Sequence, residues 1–368
     1  PDLGAYEYDP TQIVIDPIAG TLYVDATAAI SGDGTPDNPF NTIADALAVA
    51  VDGNTIALYP ASYNETVTLD RPLTLTTVTS VRERAVLTAG ISVQSNNVRI
   101  ERVTVEDSAV GLDANGISNL VVQRSLFRDN TLAMNVNGDA QIFNNIVRDN
   151  QRGLAVSGTV TIGFNTIIDN APAPACTTNC VGGVLVTSSD VVLTGNIITG
   201  NDDDLAFDPA QAPTTVYANL IGDGDYAGES FNISLLPLFT SRDTLLPGGG
   251  SPVIDALPLE FAPDYADEID RDYYGRQRPI DGNSDDVLRW DMGAVEALPS
   301  TSLLDEPTPM PQATRADTAL TPIPTLTASV TPMPPASPTL TPTASVTPSP
   351  SPTASPSATP SPSPTADD

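Results

Sequence analysis

Three consecutive carboxylates, Asp202, Asp203 and Asp204, follow Asn201, and Asp208 comes close behind. Clustered carboxylates can act as general acid and general base in glycoside cleavage, or supply oxygen ligands to a hard cation. Their contiguity works against both roles, because successive residues of an extended chain point to opposite sides unless the backbone bends. A solvated acidic turn is the simpler reading. A second oxygen-rich run, Asp281, Asn283 and Asp285 in DGNSDD, has the alternating spacing with which calcium loops wrap an ion. It departs from that pattern, with Asp286 where glycine is wanted and Met292 at the far ligand position. A loop stabilised by Ca2+ and an ion-free acidic turn both remain open for it.

The bases are all arginine, since the chain has neither lysine nor histidine. Arg124, Arg128, Arg148 and Arg152 are the candidates for proton abstraction. Arg128 and Arg148 share a repeat position beside Asp129 and Asp149, where an exposed charge ladder explains them more simply. With 46 acidic and 15 basic residues the net charge is −31, which argues against nucleic acid and anionic membrane surfaces as partners. Cys176 and Cys180 sit in an Ala/Pro/Thr-rich insertion, where a local disulfide suits an oxidising compartment and two thiols without histidine make a poor metal site. Asn64-Glu65-Thr66 and Asn232-Ile233-Ser234 match the short N-glycosylation pattern. No signal peptide or membrane span is read in the sequence.

What must position these residues is a repeat. An aliphatic residue, a small or amide residue three positions on, and another apolar residue recur six times: Ile100/Val103/Val105, Val122/Ser125/Phe127, Ile142/Asn145/Val147, Ile162/Asn165/Ile167, Leu193/Asn196/Ile198 and Val216/Asn219/Ile221. The middle positions are 22, 20, 20, 31 and 23 residues apart, a solenoid period, and the insertion carrying the cysteines accounts for the long one. A further apolar pair follows in most coils, such as Leu112/Ala114 and Met134/Val136, so each coil should contain three short strands. Period-two alternation places positions 100, 103, 105 and 112 inward and leaves Arg102, Thr104, Gln123 and Arg124 outward. The product is an all-β fold, a parallel β-helix. Asn145, Asn165, Asn196 and Asn219 fall on one inward corner and form an asparagine ladder. Asn130, Asn150, Asn170 and Asn201 make a second polar row. Both rows read as architecture.

Residues 42–52 have helical apolar spacing, with Thr42 and Asp45 as a capping-box-like start and Gly53 at the C-terminal side, so a short helix should plug the N-terminal end. Residues 1–10 echo the phrase WDMGAVE at 290–296, which suggests the end of a preceding similar unit. The chain then divides into an opening strand and capping helix (11–52), the β-helix (53–240), a closing segment (241–300) and a Pro/Thr/Ser-rich disordered stalk (301–368). The closing segment combines many aspartates with Tyr273, Tyr274 and Trp290, and should fold over the last coils as a terminal cap.

The run LYVDATAAISGDGTPDNPFNTIADALAVAVDGNTIALYPASYNETVTL resembles the opening of secreted right-handed parallel β-helix proteins, the pectin-lyase-like superfamily. The phrase from Ser251 to Glu296 is similar to the end of the bacterial choice-of-anchor Q domain, in Ser251, Pro252, Ile254, Asp255, Asp270, Gly275, Arg278, Asp291, Gly293 and Glu296. The resemblance implies a right-handed coil on a secreted or cell-surface protein. It implies little about activity, because the superfamily includes lyases, hydrolases, epimerases and noncatalytic proteins. The histidine- and lysine-containing signatures of polygalacturonases are absent, whereas a lyase-like step with arginine as base is compatible with the composition. The sequence therefore supports a noncatalytic extracellular module, structural or adhesive, with polysaccharide as its conceivable partner. The alternative is a lyase or hydrolase acting on acidic polysaccharide.

Overall fold

Equivalent residues of successive repeats sit directly above one another. Ile100, Val122, Ile142, Ile162, Leu193 and Val216 pair in unbroken parallel register. So do Val105, Phe127, Val147, Ile167, Ile198 and Ile221. In this computed structural model the described residues are 20–78, 83–173, 176, 180–188, 190–207, 215–259 and 268–299. The echo at 1–10, the stalk at 301–368 and Asp208 lie outside them. The strands form a 13-stranded and an 8-stranded sheet, wound as a parallel solenoid of about 7 turns.

Of the three strands expected per coil, the first two run together in the middle coils as Val110–Gln123, Leu132–Phe143 and Leu154–Gly163. They bend at Gly116, Gly138 and Gly158, all at positive φ. A Cβ on Gly158 would stand 2.3 Å from the Gly138 carbonyl oxygen, so stacked coils can turn there only with glycine. The third strand is short: Leu126–Arg128, Ile146–Arg148 and Thr166–Ile168. The inward stacks are sealed, with Ile100, Val103, Val105, Leu112 and Ile167 fully buried.

Two further corners per coil pass through the left-handed region. At the first stand Arg102, Arg124, Asn144, Phe164, Gly195 and Ala218, and at the second Asp107, Asp129, Asp149, Asp169 and Gly200. Each strained corner turns the next side chain inward, where the two ladders form, and their amide bonds offset the strain. The helix Ile43–Val49 has Thr42 as N-cap, its hydroxyl accepting from the Asp45 N–H at 3.1 Å. The side chain of Asp45 accepts from Ser31 instead of closing a capping box. Glu65 satisfies two more N-terminal donors, Ile43 at 2.8 Å and Ala44 at 3.0 Å.

The closing segment reaches the last coil, sharing an apolar cluster with Ala218 and Leu220, but is not confined to it. It runs along the flank of the solenoid, over the outer face of the 8-stranded sheet. Its contacts extend from Arg84, which donates to the Tyr273 carbonyl, and Arg99, which pairs with Glu268, up to Gly195, whose carbonyl accepts from the Gly293 N–H at 2.7 Å. Beneath it lie two further apolar clusters. One joins Phe143, Phe164 and Ile197 to Val253, Leu257, Trp290 and Met292, and the other joins Leu126 and Ile146 to Leu245, Tyr273 and Val295. Thr104 and Gln123, read as outward and solvated, are each only 4% exposed. They do point away from the coil axis, but the face they belong to is a second core. The end of the solenoid is closed by residues 230–233, with the Ile233 carbonyl accepting from the Ile221 N–H.

Candidate functional site

The first ladder is continuous. Each amide Nδ2 donates to the next Oδ1, from Asn145 to Asn165 (3.0 Å), to Asn196 (3.0 Å), to Asn219 (2.9 Å) and on to Asn232 (3.1 Å). Asn232, which the sequence offered as a glycosylation site, is 1% exposed and forms the last rung. Asn64, the other such site, is exposed. The second row is a ladder of the same kind, Asn130 to Asn150 (3.0 Å) to Asn170 (2.8 Å) to Asn201 (2.8 Å).

Asp204 ends this second ladder. Its Oδ1 accepts from the Asn201 amide at 2.9 Å and backbone N–H at 3.0 Å, and its Oδ2 accepts from the Asp223 N–H at 3.0 Å. The left-handed conformation of Asp203 is the bend that sends Asp204 inward, to 2% exposure, while Asp202 and Asp203 face solvent. Burial raises the pKa of Asp204 against the lowering effect of its bonds with Asn201. Asp203 is raised by partial burial and then by the charges of Asp223, Asp225 and Asp202. Asp223 and Asp225 thus join Asp202, Asp203 and Asp204, and neither of the two was singled out in the sequence. By the register of the neighbouring strands Arg152 belongs to the same vertical stack as Asp203, with Gly182 between them. Their backbones are two strand spacings apart, roughly 10 Å.

The remaining arginine candidates are committed elsewhere. Arg124 pairs with Glu101 at 2.9 Å and Arg128 with Glu106 at 2.6 Å. Arg148 lies 3.6 Å from Asp149 and donates to the Arg242 carbonyl. Arg242, unmarked in the sequence, bridges Asp149 (2.5 Å) and Asp169 (2.9 Å).

The DGNSDD loop closes on its own backbone. The carboxylate of Asp281 accepts from the Asp285 and Asp286 N–H groups, and Asn283 Oδ1 accepts from Asp285 N–H at 2.9 Å. Asp285 accepts from Val287 N–H and pairs with Arg289 at 2.9 Å. Buried Asp255 holds the loop from beneath through the Asn283 N–H at 2.8 Å. The oxygens that a cation would need already have donors, and among the described residues no group of three acidic, histidine or cysteine side chains is placed to hold a metal. Cys176 and Cys180 are joined in a disulfide, with Cα atoms 5.8 Å apart.

One outer surface stays open. Along the 13-stranded sheet, Ser92, Asp113 and Asn135 stand in register, flanked by exposed Gln94, Asn115 and Asn137. Asp113 Oδ1 accepts from the amides of Asn115 (2.8 Å) and Asn135 (2.7 Å). No helix among the described residues is long and apolar enough to cross a membrane.

Residues 47–228, just under half of the chain, match the family described as "Periplasmic copper-binding protein (NosD)". No curated protein sequence matches. Among solved structures the chain is similar to a rhamnogalacturonan lyase, with 11% identity and a TM-score of 0.34 over 51% of this chain; it spans 60% of that one. It is also similar to pectate lyase Pel9A, with 14% identity and a TM-score of 0.32 over 75% of this chain and 96% of that one. A third is the pectin methylesterase from Aspergillus niger, with 15% identity and a TM-score of 0.31 over 64% of this chain and 96% of that one. Its in-register parallel coils make the chain a parallel β-helix.

Proposed function

We propose that the chain is a noncatalytic, extracytoplasmic β-helix module that presents its open sheet face, with polysaccharide as the partner of that face. The observation that carries this reading is the commitment of its chemistry-bearing groups to architecture. Asp204 is a ladder terminus, Arg124 and Arg128 are held by Glu101 and Glu106, and Asp202 and Asp203 face solvent. General acid–base catalysis needs both partners within reach of one substrate bond. The periplasmic placement of the matching family and the disulfide both favour an extracytoplasmic site. The open face offers amides and hydroxyls at strand spacing, groups that exchange hydrogen bonds with sugar hydroxyls.

The copper in that family's description does not carry over. Copper sites draw on imidazole, thiolate and thioether ligands. Here there is no histidine, both cysteines are in the disulfide, and of the four methionines the two among the described residues, Met134 and Met292, are buried in separate cores. Cosedimentation with insoluble polysaccharides tests the proposal. Retention that weakens in Asn115→Ala/Asn137→Ala, with the polysaccharide left intact, supports it, and retention indifferent to those changes counts against the face.

A further inference from the structure

On the open sheet face the side-chain amides donate along the face, from one to the next. Asn115 and Asn135 both donate to Asp113 Oδ1, at 2.8 and 2.7 Å. Asn119 Nδ2 donates to Asn97 Oδ1 at 2.8 Å, and Gln94 Nε2 to Ser92 Oγ at 3.3 Å. One N–H of each amide is used in this way, and an amide has only two. The outward groups are therefore shifted toward acceptors: amide oxygens, the second oxygen of Asp113, and the carboxylate of Asp139, exposed next to the bend at Gly138.

The cations stand elsewhere. Among the described residues no arginine occupies the rows of Ser92, Asp113 and Asn135 or of Gln94, Asn115 and Asn137. Arg99 is paired with Glu268 at 2.9 Å and Arg71 with Asp70 at 2.8 Å, and Arg152, at the corner before the strand Leu154–Gly163, shares its stack with Asp203. A uronate group brings a carboxylate, which can only accept, to a face rich in acceptors and carrying carboxylates of its own. The net charge of −31 also opposes its approach. A sugar hydroxyl donates as well as accepts and carries no charge, so an acceptor-rich face suits it.

Resting on the reading that this face takes polysaccharide, we propose that it selects neutral glycans and excludes uronate-bearing ones. The test is retention of the full chain on cellulose, on insoluble mannan and on cross-linked polygalacturonate, in EDTA, at low and at high salt. A neutral glycan is expected to retain the chain equally at both salt concentrations, because no charge pair is screened, and polygalacturonate is expected not to retain it. Retention on polygalacturonate equal to or above that on the neutral glycans overturns the selection while the polysaccharide reading stands. Retention on none of the three refutes that reading, and the selection with it. Retention on neutral glycans that falls steeply with salt also overturns the proposal, since it marks a charged attraction. Asp113→Arg/Asp139→Arg should gain salt-sensitive retention on polygalacturonate, and a variant that still rejects it places the choice outside this face and overturns the assignment. If the double variant does not fold, Asp139→Arg alone, at an exposed position, takes its place under the same criteria.

Discussion

Arg278 is the residue on which the closing segment turns. Its side chain is fully buried and pairs with Glu296, also fully buried, at 2.7 Å. It donates further to Asn144 Oδ1 (2.7 Å), the Asp291 carbonyl (2.7 Å) and the Gly293 carbonyl (3.1 Å), and lies 4.6 Å from the Phe164 ring centroid. Asn144 and Phe164 belong to the solenoid, and the other partners to the closing segment, so one guanidinium ties the two. Arg278→Met keeps the aliphatic bulk and removes the charge, leaving Glu296 buried without its cation. Breaking a buried pair on one side costs about 3–5 kcal/mol, and urea unfolding should show a loss in that range. Glu296 also accepts from the Ile280 N–H at 3.1 Å, a bond that glutamine can keep. Arg278→Met/Glu296→Gln should therefore recover a substantial part of the loss. A loss below about 1 kcal/mol, the scale of an exposed pair, would refute the burial of this ion pair and with it the docking of the segment.

Other consequences can be measured directly. Asp291 is held well above the ordinary aspartate range by burial and then by the charge of Glu296, and Glu296 is raised by burial although Arg278 opposes it. Groups raised on folding bind more protons in the native state, so stability should increase as pH falls through their raised values, the gain being complete below the unfolded values of 3.8 and 4.5. Tm is thus expected to be higher at pH 5 than at pH 8, and the reverse order would contradict these shifts. Asn165→Ala removes the acceptor of both the Asn145 N–H and the Asn145 side-chain amide and a donor to the Ile142 carbonyl, and should cost roughly 3 kcal/mol in chemical unfolding; a neutral outcome would make the ladder ornamental. Ile167→Asp and Thr104→Asp should both destabilise, one inside the coil and the other beneath the closing segment, whereas Thr68→Asp on the open face should melt like the parent. If Thr104→Asp behaves like Thr68→Asp, the flank is not covered. EDTA should leave Tm unchanged, since the loop at Asp281 closes on its own N–H groups; a fall reversed by calcium would restore the cation reading.

The inward stacks and the first ladder were legible because a repeat of about 20 residues brings identical side chains to identical positions. The covered flank was not read, although it left a signal: Ile146-Val147, Ile197-Ile198 and Leu220-Ile221 are adjacent large apolar pairs. Neighbours on a strand cannot both face inward, so one row had to find a cover elsewhere. Treating Thr104 and Gln123 as representatives of that outer row hid it. The fate of Asp204 depended on a single left-handed residue, Asp203, and period-two alternation cannot foresee such a turn. The calcium spacing at Asp281, Asn283 and Asp285 is also that of nested turns bonded to backbone N–H groups, and spacing alone does not separate the two. Arg278 entered only through family resemblance, because nothing local in the sequence distinguishes it from an exposed arginine.

The proposal that this β-helix carries no catalytic centre is tested most directly by incubating the purified chain with a panel of acidic and neutral polysaccharides, following unsaturated products and new reducing ends. With Asp204 buried as a ladder rung, neither product should rise above the protein-free control. Turnover that disappears in Asp203→Asn would contradict this and make the carboxylate cluster around Asp203 an active site.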